Sequence, residues 1–167
     1  GMVFGLQAVI MWLIALPVQV GIAGAARGWT WLHPVGLLIW CVGLFFEAVG
    51  DWQLARFRAN PANRGQVCQT GLWRWTRHPN YFGDFCIWWG LYLLAVAHGE
   101  HLWTIVSPAA MSFFLLRVSG VTLLESSLLK EKPGYAEYVR RTNAFFPGPP
   151  RQLPPAADES DTASRVG

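Results

Sequence analysis

Arg77 and His78 stand directly before Pro79 in the run GLWRWTRHPNYFGD, residues 71–84, and the chain turns apolar at once afterwards, FCIWWGLYLLAVA. These residue types in this order suit an anion. Pro79 fits the first turn of a helix, where its missing N–H removes no bond. His78 or the residue before it then stands at the cap. The free N–H groups of that turn, flanked by two cations, form a place for phosphate or carboxylate. Asn80 and Asp84 are four apart and share a face one turn inside the apolar zone. The competing reading is an interfacial anchor of basic and aromatic residues, which any membrane protein can carry. Asp84, drawn into the apolar zone, favours a binding site.

Other ionisable residues interrupt the apolar runs: Glu47, Asp51, Arg117 and Glu125. Inside a membrane such groups cost several kcal/mol apiece and usually mark function, so they are expected to line a polar cavity or to pair across helices. Glu47 and Asp51 share a helix face, and Arg58 falls close to the same azimuth. With Asn80 and Asp84 they supply acceptors for ribose hydroxyls and an amide, while the arginine-rich loop supplies cations for phosphates. That layout suits an anionic nucleotide. No soluble nucleotide motif accompanies it: the chain has no GxGxxG and no Walker loop, and no HExxH. His33, His98 and His101 fall in short loops and read as interfacial. Cys41, Cys68 and Cys86 form no CxxC and no metal spacing with histidine.

The elements that must position these groups are apolar runs. Of 167 residues, 53% are hydrophobic and 14% charged, far below the charge of a soluble domain, so the expected class is an all-α polytopic bundle in a bilayer. Four spans are expected, near 6–26, 35–56, 81–97 and 102–129, the first kinked by Pro17, followed by a C-terminal amphipathic helix. Residues 1–147 form the transmembrane domain, and 148–167, rich in proline and polar residues, a disordered cytoplasmic tail. No cleavable signal peptide is expected. Eleven of the 13 basic residues lie in the loop 56–77 or from Lys130 onward, which places both termini and that loop in the cytoplasm. The net charge of +3 is modest and points to anionic lipid or cofactor rather than nucleic acid.

GLWRWTRHPNYFGD with the following WWG resembles the steroid 5-alpha-reductase-like membrane family, especially its bacterial branch of formerly unknown function. FFEAVGDWQLARFRANPAN resembles that family's preceding helix, and SGVTLLESSLLKEKPGYAEYVRRTNAFFP its C-terminal signature. The resemblance implies an integral protein of the bacterial inner membrane, an oxidoreductase acting on CH–CH groups. Such an enzyme uses NADPH to reduce a carbon–carbon double bond in an apolar, steroid- or lipid-like enone. It implies cofactor contacts at Asp51, Arg58, Arg77, His78, Asn80, Tyr81 and Asp84, with Glu125 and Tyr135 from the C-terminal block. The acid–tyrosine pair that polarises the substrate in such families lies in an N-terminal half that this chain is expected to lack, so no catalytic residue is assigned.

Two rival readings remain. The isoprenylcysteine and phospholipid methyltransferases share an RHPxYxG block and a short helical core but use S-adenosylmethionine. A pair of adjacent glutamates usually accompanies it there, where this chain has Glu125-Ser126. The other reading is a non-catalytic cofactor-binding or scaffold protein.

Overall fold

The computed structural model describes residues 2–24, 27–118 and 121–152, and among these every regular element is helical and none is a strand. The first apolar run forms two helices, α1 (Met2–Ile14) and α2 (Leu16–Ala23), bent by 53° at Ala15. The bend follows from Pro17 in the first turn of α2, which cannot donate to the carbonyl of Leu13 and whose ring crowds the preceding turn.

α3 (Leu32–Ala59) has 28 residues and carries Arg56 and Arg58 in its last turn, where cations meet the negative end of the helix dipole. At 1.5 Å per residue it is about 42 Å long. Among the described residues it is the one helix that is by itself long and apolar enough to cross a membrane; the bent pair α1–α2 passes the same test when taken together. α4 (Pro79–Ala95) is shorter, with Pro79 as its first residue and His78 at its N-cap.

The run expected as the fourth span, 102–129, changes hydrogen-bond register along its length. That run contains a 3-10 turn (Leu102–Ile105), α5 (Val106–Phe113), a π turn (Phe114–Val118) and α6 (Val121–Glu131). Pro108 falls in the opening turn of α5, and the π turn that follows shifts the hydrogen-bond register of the helix. α7 (Tyr135–Arg141) follows a turn at Gly134, whose φ of 82° suits glycine. Of the expected tail, residues 148–152 are described and pack back onto the protein; 153–167 lie outside the described residues.

α3 and α4 run antiparallel with backbones almost touching. A Cβ on Gly43 would lie 2.6 Å from the Gly83 carbonyl oxygen, and one on Gly90 2.7 Å from the Trp40 nitrogen. Gly36 meets Gly90 and Gly50 meets Pro79, so one glycine-rich seam runs along the pair. The far end is closed by a Thr30 hydroxyl donating to the Ala97 carbonyl at 3.1 Å and by an Arg27–Glu100 ion pair at 2.8 Å. Trp89 Nε1 donates to Ser112 Oγ at 3.2 Å and joins α4 to α5.

Candidate functional site

The loop between α3 and α4 is pinned from below by one side chain and one backbone carbonyl of α3. Gln53 Oε1 accepts the Leu72 N–H at 2.9 Å, and Trp73 Nε1 donates to the Gly50 carbonyl at 3.0 Å. Gly71 is required between them: its φ is 61°, and a Cβ there would lie 2.5 Å from the Gln53 amide. From above, the Tyr138 hydroxyl of α7 donates to the Trp73 carbonyl at 2.5 Å, and the fully buried Thr76 donates to the Phe145 carbonyl at 2.8 Å. The residues before α4 are thus clamped between α3 and the C-terminal segment.

Arg77 fills the centre of this clamp. It is 8% exposed. Its guanidinium grips Glu125 in a fork, Nε to Oε1 at 2.7 Å and Nη2 to Oε2 at 3.0 Å. Nη1 donates to the Val139 carbonyl at 3.1 Å and to the Thr142 carbonyl, and the backbone N–H donates to the Asn143 carbonyl at 2.9 Å. His78, 3% exposed, places Nε2 3.1 Å from Glu125 Oε1, and its ring stacks on Tyr81 at 5.2 Å. One carboxylate therefore holds both members of the Arg-His pair. Four of the guanidinium N–H groups are aimed at protein acceptors, so Arg77 is oriented by the fold itself.

A cavity of about 330 Å³ opens beside this cluster, between the end of α3, the loop, the start of α4, α6 and α7. Of the residues singled out in the sequence, Asp51, Arg58, Arg77, His78, Asn80, Tyr81 and Tyr135 line it, and Glu125 lies behind it on Arg77 and His78. Asp84 does not line it. It sits one turn deeper on α4, where the charges of Glu47 and Asp51 act on it. A second chamber of about 410 Å³ shares Leu54, Arg58, Cys68 and Lys132 as walls and adds Arg64. Arg58 and Lys132 stand where the chambers meet, and Lys132 Nζ also donates to the Gln66 carbonyl at 3.1 Å.

The walls differ in charge. The chamber side carries Arg58, Arg64 and Lys132, and the other side carries Asp51, Asn80 and two buried phenols. Burial, reinforced by the Glu125 carboxylate, pushes the Tyr135 phenol up to about 12. Burial also holds the Tyr138 phenol above its ordinary value. Both stay neutral at physiological pH; the Tyr135 hydroxyl can donate a hydrogen bond or a proton, while that of Tyr138 is given to the Trp73 carbonyl. Lys132, Trp73 and Tyr138 were not singled out in the sequence; PGYAEY placed Tyr138 three residues from Tyr135, one turn on and on the same face.

The family described as Protein of unknown function (DUF1295) matches residues 1–142. An uncharacterized protein of Schizosaccharomyces pombe is 36% identical over 81 residues, 47% of this chain and 23% of its own length. The cobalt-zinc-cadmium resistance protein CzcN of Cupriavidus metallidurans is 27% identical over 118 residues, 71% of this chain and 52% of its own. The probable O-methyltransferase ustE of Ustilaginoidea virens is 39% identical over 66 residues, 38% of this chain and 23% of its own. The chain thus spans from 23% to 52% of the length of these curated relatives. No solved structure matches it.

Proposed function

The chain belongs to the DUF1295 family, within the steroid 5-alpha-reductase-like proteins in general, and from that premise we propose a membrane-embedded, NADPH-dependent reductase of a carbon–carbon double bond in an apolar, enone-like lipid. The observation that carries this reading is one pair of joined chambers, with Arg58, Arg64 and Lys132 at one end and Asp51, Asn80, Tyr81 and Tyr135 at the other. A nucleotide with phosphates at one end and hydroxyls and an amide at the other has the matching polarity. In this reading the protein is polytopic, with both termini and the basic loop in the cytoplasm, because the basic residues gather at that end.

Arg58, Lys132 and Arg64 would hold the phosphates by charge-assisted bonds. Asp51 and Asn80 would fix ribose and amide. His78, held by Glu125, keeps the Tyr81 ring parallel to its own and so shapes the wall. Arg77 braces that wall from within, since its guanidinium is directed at Glu125 and two carbonyls. Asp84 orients the deeper turn of α4. NADPH, when bound, supplies the hydride; this chain's part is orientation and electrostatics. Tyr135, neutral in the cavity wall, would be the chain's proton donor to the reduced carbon and would be reprotonated by solvent.

A second reading is an S-adenosylmethionine-dependent methyltransferase. The similarity to the probable O-methyltransferase ustE favours it, as does the carboxylate of Asp51 in the cavity wall, which suits a sulfonium cation. Titration of the purified chain in detergent with NADPH and with S-adenosylmethionine separates the two. NADPH binding is expected, weakened roughly tenfold by Arg58→Ala and less so at high salt. Tight binding of S-adenosylmethionine alone would replace the reductase by the methyltransferase. Binding of neither would leave a scaffold.

A further inference from the structure

A cavity of about 790 Å³ lies outside the chambers above and shares no lining residue with them. Three arginines from three separate segments line it: Arg74 before α4, Arg141 at the end of α7, and Arg151 beyond it. No acidic side chain is among its lining residues. Glu137, which pairs with Arg141 at 2.9 Å, lies one turn back on α7, and both side chains are about half exposed.

The cleft is built by the fold. Residues 142–152 cross the segment before α4 as a strap. Gly148 N–H donates to the Trp75 carbonyl at 3.0 Å, and Arg151 N–H donates to the Arg141 carbonyl at 2.8 Å. Pro149 and Pro150 stiffen the wall between them. The strap also sets the height of the cleft. Phe145 and Phe146 pack edge-on against Phe82 and Phe85 in the first two turns of α4, with Phe146 60% exposed. Trp75 on the rim is half exposed. Exposed aromatic rings beside the start of an apolar helix, with arginines next to them, match the boundary between hydrocarbon and headgroups.

We propose that this cleft binds the phosphate of an anionic membrane lipid, its acyl chains lying against Phe146 and the start of α4. The inference rests on the membrane reading but not on the choice of cofactor. The bare positive-inside bias explains why basic residues gather at this end, but not why three of them converge on one walled cleft free of carboxylates. A lipid phosphate there would also hold the strap against the loop that carries Arg77 and His78, linking the bilayer to the neighbouring site.

The test uses the full chain, purified in detergent and titrated with phosphatidylglycerol or phosphatidylcholine, with bound lipid counted by native mass spectrometry. A preference for phosphatidylglycerol is expected. Arg74→Gln, Arg141→Gln and Arg151→Gln should each weaken it roughly fivefold, and the triple variant on the order of a hundredfold. Arg27→Gln, at the opposite end, should leave it intact. Should the triple variant unfold, the three lysine replacements decide: a retained preference supports the proposal and a lost one overturns it. Equal binding of the two lipids, or an unaffected triple variant, would overturn it. Binding of inorganic pyrophosphate without phosphatidylglycerol would assign the cleft to a soluble phosphate and overturn the lipid. Extraction of the chain from membranes by alkaline carbonate would count against the membrane reading separately.

Discussion

Arg77→Ala is expected to damage the fold before it damages any ligand site. The substitution removes a buried guanidinium that makes two bonds to Glu125 and two to carbonyls of the C-terminal segment. Glu125 would keep His78 as a partner but lose its strongest counter-charge in a position only 13% exposed. Breaking one side of a buried ion pair costs about 3–5 kcal/mol, mostly because the surviving charge is stranded. For a chain of this size each kcal/mol moves the melting midpoint about 2–4 °C, so a fall of about 6–20 °C is expected. The ten tryptophans make intrinsic fluorescence in detergent a direct readout. Arg77→Lys should recover only part, because an ammonium cannot reproduce the two-pronged grip. Glu125→Ala should cost a similar amount, and the double variant little more than either, since both break the same contact. A midpoint within about 2 °C of the parent, together with a hundredfold loss of NADPH affinity, would refute this. It would mean that the guanidinium faces the ligand and that Glu125 is its accessory.

The α3–α4 seam should not tolerate a methyl group: a Cβ at Gly83 falls 2.5 Å from the Glu47 nitrogen, so Gly83→Ala should cost about 1–3 kcal/mol or more, whereas Gly5→Ala, with nothing within 4 Å, should melt as the parent does. On the alkaline side, the contribution of two phenols to stability should hold up to about 10 and fall toward 12. The phenols of Tyr135 and Tyr138 titrate higher in the folded chain than in the unfolded one, so their contribution is complete below the unfolded value and is lost as pH rises. Tyr135→Phe should remove part of that fall in melts taken across pH. In a cysteine-free background, an impermeant maleimide added to intact cells should label Glu100→Cys and miss Arg64→Cys; the reverse would invert the topology. Deleting residues 153–167 should leave both the melting midpoint and NADPH binding unchanged.

What the sequence made legible was local. The apolar runs and Pro79 located α3 and α4 to within a few residues, because proline and hydropathy act over a single turn. The register changes inside 102–129 were not legible, since a π turn changes the hydrogen-bond pattern without changing composition. The clustering of Asp51, Arg58, His78, Asn80, Tyr81 and Tyr135 round one cavity followed from motifs that sit at helix ends facing the same way. The occupation of Arg77 did not. Its partner Glu125 is 48 residues away, and a guanidinium before a helix reads equally as a phosphate clamp or as half of an ion pair. Asp84 shares a face with Asn80 as expected, yet close packing at Gly83 carries that turn against α3 and away from the cavity wall. One long-range signal was present and not read: Gly36, Gly43 and Gly50 recur every seven residues, as do Gly83 and Gly90, which places small residues along one side of each helix.

That seam has a mechanical consequence. Two rods that meet at Gly36–Gly90, Gly43–Gly83 and Gly50–Pro79 leave little side-chain depth between their backbones to compress, so α3 and α4 are expected to behave as a single stiff beam. Any widening of the chambers at its end must therefore be hinged elsewhere. The compliant joints are the bend at Ala15, the π turn at Phe114–Val118 and the Gly134 turn, all of which lie in the half of the molecule that carries Glu125, Lys132 and the phenols or that packs against it. Asp51, Asn80 and Tyr81 belong to the beam, so a widening would have to move the opposite wall. The stroke is limited by the reach of two tethers, Lys132 to the Gln66 carbonyl and Arg77 to Glu125.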